Sequence, residues 1–375
     1  MRREVTSRYY RVFTYQSVDR VPDVEFGYWP QTIRRWLREG MKADLTEKER
    51  NECFPKKLDA FLGFDPPQSY VLWLRTGMVP PFEEKVIEKR EHSTVIRDAN
   101  GCLAERFTND QEESSIPHFI EFPVKTPRDW EELKRERYRI DDPKRDMRPS
   151  DIADARKAVA DGKMIDLWCP GPYGMLRWWM GFENLSIAFY EYPAMIHDMI
   201  EHMTEMCIRL IRKIPADIPL DHSGWWEDMA SKNGPFVGPK MFREFLQPQY
   251  HRIQEEIRKR GCVLGIVDCD GNPHDIVGNW LEEGVNIMFP LEQSAGVDIY
   301  AWRKEFGKGM RMKGGIAKAP LVEGGRAIDR ELDRIKPMLE QGGFIPHLDH
   351  LVPPDVSYKN YCRYLEKKRK LIGKA

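Results

Sequence analysis

Short apolar runs alternate with longer amphipathic stretches through most of the chain, and this alternation predicts strands separated by helices. Eight runs read as strands: 21–29 (VPDVEFGYW), 69–74, 163–169, 217–223, 262–270 (CVLGIVDCD), 285–292, 310–315 and 343–350 (GFIPHLDH). Helical patterns separate the later ones, at 239–260, 273–283, 297–306, 325–341 and 354–372. Pro239 opens the first of these, where its missing N–H would be unpaired in any case. The stretch 84–107 breaks the rhythm and reads as two strands around an Asp98-Ala99-Asn100-Gly101 turn, a hairpin inserted beside the mouth of a barrel. Residues 125–150 are polar and proline-punctuated, which suits surface. Eight strands with intervening helices predict an α/β fold, a single (β/α)8 barrel over residues 1–375. An open doubly wound sheet is the alternative; against it, no glycine-rich phosphate loop follows a strand.

Composition narrows the partners. Lys and Arg total 59 against 60 Asp and Glu, a formal charge of −1, so neither a nucleic-acid footprint nor a polybasic membrane surface is expected. No apolar run reaches the roughly 18 residues of a membrane helix. The opening MRREVTSRYYRVF lacks the apolar core of a signal peptide. The 7 cysteines are dispersed without a CxxC pair, which reads as reduced thiols in a cytoplasmic protein. The 11 tryptophans suit core filling and, for some, the walls of a ligand pocket.

In a barrel, chemistry gathers at the C-terminal ends of the strands. The eighth run ends in His347, Asp349 and His350, with Pro353 and Pro354 stiffening the exit, so His350 and His347 are candidates for acid, base or ligand roles. In VDCDGN, Asp268 and Asp270 share one face and Cys269 takes the other. That aspartate pair suits a cation or a division into acid and base, while an Asx turn before Gly271 is the bland reading. Glu292 closes the sixth run, and Lys313 and Lys318 follow on the seventh. After the fourth run, Glu227 and Asp228 stand behind Trp225 and Trp226, where burial would raise a carboxylate's pKa. Tyr28 and Trp29, with Tyr173 and Trp178, are candidate pocket walls; helical spacing assigns one of Trp178 and Trp179 to the core.

The segments DRVPDVEFGYW, WEDMASKNGPFVGPKMFREFLQPQY, EEGVNIMFPLE and GGFIPHLDHLVPPDVS resemble the uroporphyrinogen decarboxylase superfamily over almost the whole chain. The resemblance implies a (β/α)8 barrel and two chemistries: decarboxylation of a tetrapyrrole, or methyl transfer to a corrinoid, in several members with zinc. The decarboxylase's RQAGR segment corresponds to FGYWPQTIRRW, with Gly27 and Gln31 at matching positions. Its pocket tyrosine falls on Trp178, its late histidine on His350 and its catalytic aspartate nearest Asp65. The zinc methyltransferases' HxC motif meets VDC, with Val267 where the histidine would stand.

These readings give three expectations. The first is methyl transfer from a methylated ether or amine to a corrinoid protein. It assigns His350, Glu227, Asp228 and Asp270 to catalysis. Tyr28, Trp29, Tyr173, Trp178, Glu292, Lys318 and His347 would contact the substrate, and Asp268, Asp270, Glu292 and His350 are the candidate zinc ligands. The second is a cofactor-free decarboxylase. The third is a non-catalytic barrel that binds a tetrapyrrole or corrinoid. A homodimer is one candidate assembly.

Overall fold

Runs such as Leu264–Asp268 and Phe344–Leu348 are apolar almost throughout because both faces of their parallel sheet are largely buried. The computed structural model describes residues 7–107 and 117–374. In chain order the strands are β1 (Ser69–Trp73), β2 (Lys85–Lys89), β3 (Ser93–Arg97), β4 (Leu103–Phe107), β5 (His118–Glu121), β6 (Met164–Pro170), β7 (His222–Trp226), β8 (Ala230–Ser231), β9 (Gly234–Pro235), β10 (Leu264–Asp268), β11 (Ile287–Phe289), β12 (Arg311–Ile316) and β13 (Phe344–Leu348). Seven of them form one parallel sheet in the order β1-β6-β7-β10-β11-β12-β13, each strand pairing with its sequence neighbours in the sheet. Parallel neighbours need long crossovers, and helices supply them. Examples are Pro193–Lys213, with an apolar stripe from Met195 to Ile211, and Arg326–Gln341, with Ile328, Leu332 and Ile335 turned inward.

Two expected strands differ. Residues 21–29 form no strand beyond a parallel bridge from Tyr28 to Val352. Pro22 and Pro30 cannot donate to a ladder, and Gly27 turns to φ 152° where a Cβ would lie 2.6 Å from the Cys53 carbonyl. The segment is held instead by a mixture of contacts. The Glu25 side chain accepts from Leu348 N at 2.8 Å, Gly27 O accepts from Val352 N at 2.9 Å, and Asp23 O accepts from Asp65 N at 3.0 Å. It therefore touches both β13 and the chain leading into β1. The strand expected at 217–223 begins only at His222 and runs to Trp226, because Asp221 turns its carboxylate onto Ile165 N at 2.9 Å.

The stretch 84–107 carries three strands rather than two. The Asp98–Gly101 turn joins β3 to β4, with Asp98 accepting from Asn100 N and Cys102 N, both at 2.9 Å. A further turn at 90–92 splits the first half, and β2 to β5 form a four-stranded antiparallel meander. This small sheet leans on the helix Pro172–Glu191: Val124 N donates to Trp179 O, and the Phe122 ring occupies the place where a Cβ of Gly181 would be. That helix kinks at Gly181 for this reason, with φ 72°. Trp36, Trp130, Trp179, Trp225 and Trp280 are fully buried and account for nearly half of the tryptophans as core.

Candidate functional site

A cavity of about 660 Å³ opens at the ends of the parallel strands. Its wall includes Trp73, Pro170, Trp226, Asp268 and Phe289, and each of these is the last residue of its strand. The site therefore stands at the C-terminal edge of the sheet, where loops of different strands converge. Strand alternation delivers the large rings. Trp73 and Trp168 are cross-strand partners and stack at 5.7 Å, 29° between planes. The Trp168 indole lies over Gly224, where an added Cβ would approach it to 2.5 Å. Trp226 is backed by Trp178, stacked at 5.6 Å, and by the Arg177 guanidinium 4.7 Å from its ring. Phe26 meets Phe289 edge-on at 4.5 Å.

Three carboxylates crowd one side. Ligand atoms of Asp228, Asp268 and Asp270 lie within 4.8 Å of one another. The chain bends sharply to achieve this: Asp228 sits at φ 43°, a left-handed conformation that costs a non-glycine residue free energy. Arg177 clamps it, donating to Asp228 O at 2.7 Å and to Oδ2 at 3.1 Å, while Asp270 N donates to Oδ1 at 3.1 Å. Burial and the charge of Asp270 raise the Asp228 pKa against the pull of Arg177. Asp268 goes well above the usual carboxylate range, by burial first and then by Asp228 and Asp270. His350 Nε2 stands 3.4 Å from Asp270 Oδ2, between the rings of Trp29 and Phe26, each 5.7 Å away.

Deeper in, Lys313 also lines the cavity, with its ammonium 4.7 Å from the Phe289 ring. Among the described residues it makes no hydrogen bond or ion pair. Burial lowers its pKa, opposed by the charges of Asp268 and Asp166. Asp166 is held by His222 Nδ1 at 2.6 Å. Glu25 lines the same cavity, and burial raises its pKa although Leu348 N, Phe26 N and Tyr364 OH donate to it.

Of the residues expected from sequence, Asp228, Asp268, Asp270, His350 and Trp29 come together. Glu227 does not join them. Trp226 faces the cavity, so its successor turns away and accepts from Tyr173 N at 3.0 Å, Gly174 N at 2.7 Å and the Tyr250 hydroxyl. It is fully buried at the start of helix Pro172–Glu191, and burial lifts its pKa to about 7. Tyr173 is buried in the same helix against Phe189. Tyr28 is core too, donating to Asp59 Oδ1 at 2.9 Å and packed on Trp36. Trp178 backs the wall rather than forming it. Glu292, Lys318 and Asp349 make a separate rim group: Gly271 N donates to Glu292 at 2.9 Å, and Lys318 lies 3.4 Å from Glu292 and 3.9 Å from Asp349. His347 is fully buried with Nδ1 2.6 Å from Leu348 O, and burial takes its pKa well below the ordinary value. Asp65 pairs with Arg20 at 2.7 Å, outside the wall of this cavity.

Sequence reading missed Trp73, Trp168, Glu25 and Asp166, and left Lys313 undecided. The signal was there for Lys313: a lysine between Met312 and Gly314 in a strand of a parallel sheet is at most partly exposed.

The zinc set drawn from the sequence does not assemble, because Glu292 is spent on Gly271 N and Lys318. Among the described residues, Asp228, Asp268 and Asp270 are the one group of three or more His, Cys, Asp or Glu close enough to share an ion. An all-carboxylate set with one member clamped by arginine is not the thiolate–imidazole set zinc prefers. Cys269 is turned away and buried.

Comparison with known proteins places these features in context. A family model described as uroporphyrinogen decarboxylase matches residues 108–370. Among solved structures, a methyltransferase from Methanosarcina mazei matches at 15% identity over 98% of each chain, with a TM-score of 0.59, which is a shared fold. A B12-independent methionine synthase from Shewanella sp. W3-18-1 matches at 13% identity over 58% of this chain and 63% of its own, with a TM-score of 0.36. No curated protein matches in sequence.

Proposed function

Because the chain belongs to the uroporphyrinogen decarboxylase family, we propose that its cavity holds a methylated small molecule and passes the methyl group to a reduced corrinoid carried by a partner protein. The fold reading that goes with it is a (β/α)8 barrel, in which residues 21–28 take the eighth position between β13 and β1 and the β2–β5 sheet is an insertion at the mouth.

The observation that carries the reading is the cavity itself: aromatic on most sides, open at the strand ends, and furnished with one crowded acid group. Methyl transfer asks the protein to seat the methyl carbon facing the mouth and to help the leaving heteroatom depart. Trp168, Trp226 and Phe289 supply flat walls that hold a small donor and exclude water. Asp268, with its pKa raised by burial and two neighbouring carboxylates, holds a proton that an alkoxide or amine leaving group can take. Asp270 and His350 at the lip orient the donor. No step here runs through a metal, since the carboxylate set does not match zinc.

Decarboxylation of a tetrapyrrole would use the same protonated Asp268 to deliver a proton to the carbanion. Among the described residues, Glu25, Asp228, Asp268 and Asp270 line the cavity against Lys313 as its unpaired cation, a set of groups that opposes a polyanionic substrate. The two separate by experiment. Purified protein with a Co(I) corrinoid protein and a panel of methyl ethers and methylamines is expected to give a methyl-cobalt absorption spectrum. No spectral change with any donor, together with fluorescent porphyrin formed from a porphyrinogen, would replace methyl transfer with decarboxylation.

A further inference from the structure

Resting on the methyl-transfer reading, we propose that the donor is a zwitterion, with a quaternary methylammonium held by the aromatic rings and aspartates and a carboxylate held by Lys313. Two features of the cavity that the general reading does not use point this way. The first is the coincidence of flat rings and a carboxylate cluster in which Asp268, an acid toward a neutral donor, ionises beside a fixed cation. Trp73, Trp168, Trp226 and Phe289 line the same space as Asp268 and Asp270. Ring faces attract a cation whose charge is spread over methyl groups, and such a cation does not need the hydrogen bonds that an ammonium with protons demands. A neutral ether has no charge for the aspartates to attract and draws on them only for the Asp268 proton as its alkoxide leaves.

The second feature is Lys313. A lysine ammonium in a barrel interior, without a hydrogen bond or ion pair among the described residues and facing free volume, is short of an anion. Asp268 and Asp166 lie close enough to act on its charge, yet neither bonds to it. A ligand carboxylate would complete it. The two ends of the ligand are then separated in depth, cation toward the strand ends and anion toward the interior, and the methyl groups point at the mouth.

The transfer balances without a proton. The bond from one methyl carbon to nitrogen breaks as the bond from that carbon to the acceptor's cobalt forms. The C–N electron pair stays on nitrogen, which leaves as a neutral tertiary amine. The two electrons of the new bond come from Co(I), which becomes Co(III).

The test is a titration of the full chain, followed by tryptophan fluorescence and calorimetry, with trimethylglycine, choline and methoxyacetate. Trimethylglycine is expected to bind about tenfold or more tightly than either of the others, because each lacks one of the two charges. Lys313→Met is expected to bring trimethylglycine down to the level of choline while choline keeps its affinity. Asp268→Asn is expected to weaken trimethylglycine and choline together and to spare methoxyacetate. Circular dichroism confirms that both variants fold, and Lys313→Arg is expected to rescue carboxylate selectivity. Methoxyacetate binding as tightly as trimethylglycine, or unchanged selectivity in Lys313→Met, would overturn the proposal. Methyl transfer to a Co(I) corrinoid protein from neutral ethers alone would sink the zwitterion and leave methyl transfer standing. Tight, charge-selective binding of trimethylglycine with no transfer from any donor would sink methyl transfer instead and keep the ligand class.

Discussion

Two carboxylate groups of this molecule, one around Asp23 and one at the cavity mouth, are built on opposite rules. Around Asp23, every acid has its cation. Lys368 stands 3.3 Å away, Arg369 2.8 Å and Lys374 2.9 Å, while Asp65 takes Arg20 at 2.7 Å and Lys374 at 3.4 Å. Burial pushes both aspartates up, but the cations overcome it, and Asp65 is brought down to about 2. At the mouth, Asp228, Asp268 and Asp270 face one another; Arg177 pairs with Asp228 and His350 stands 3.4 Å from Asp270, yet burial and mutual repulsion drive Asp228 and Asp268 up. The first arrangement ties residues 20–24 to the C-terminal helix Tyr358–Ile372. The second sets like charges against one another in a cavity, which is the pattern of a site kept for chemistry.

Removing a charge should therefore have opposite consequences in the two places. Lys368→Met leaves Asp23 buried with one cation fewer and is expected to destabilise the fold by ~3 kcal/mol, as measured by urea unfolding. Methyl transfer per folded molecule should be unchanged; a loss of turnover larger than the loss of folded protein would mean that the two groups communicate. Asp268→Asn should do the reverse. Relief of repulsion is expected to leave stability unchanged or raise it by ~1 kcal/mol, while transfer or ligand binding falls by about a hundredfold. A destabilised Asp268→Asn protein would place Asp268 with the structural group. Gly224→Ala acts between these extremes. Its new Cβ meets the Trp168 ring at 2.5 Å, a rigid neighbour that must shift, so a cost of roughly 1–3 kcal/mol and a weakened ligand affinity are expected together. Unchanged affinity would show that Trp168 is not a working wall.

Residues that answer to strand periodicity were legible in the sequence. Asp268 and Asp270 share a face with Cys269 opposite because a strand alternates, and the chain cannot avoid it. Seven of the expected strands stand in one parallel sheet for the same reason. The failures have physical causes too. Glu227 and Asp228 are neighbours in sequence, yet one residue's difference in register sends Glu227 to a helix N-terminus and Asp228 to the cavity. The run 21–29 has the composition of a strand, but its prolines and Gly27 remove the donors and the geometry of a ladder. Without that strand, Tyr28 turns into the core against Trp36 and Asp59 instead of a pocket wall. Lys318 and Glu292 satisfy each other at the rim, a tertiary pairing that nothing local foretells.

The smallest effect separates the two carboxylate groups without any mutation, because their pKa shifts have opposite signs. An acid raised in the folded state binds its proton more tightly there than when unfolded. It therefore destabilises at neutral pH, and stability rises as pH falls through its folded pKa toward the unfolded value near 4. Asp268 belongs to this class, as does Asp349, which burial lifts to about 6 although Lys318 opposes it. An acid lowered in the folded state keeps its contribution above the unfolded value and loses it below. Asp65, at about 2, gives up its share as pH drops from roughly 4 to 2. The urea midpoint should accordingly climb by an amount worth ~1–2 kcal/mol between pH 7 and about pH 5, and then fall steeply below pH 4. Asp268→Asn should reduce the climb to the shares of Asp349 and Glu227 and leave the fall in place, whereas Lys368→Met should act chiefly on the fall. A midpoint that declines steadily from pH 7 downward in the unmutated protein would mean that the mouth aspartates are compensated as fully as Asp23 is, and the contrast between the two groups would disappear.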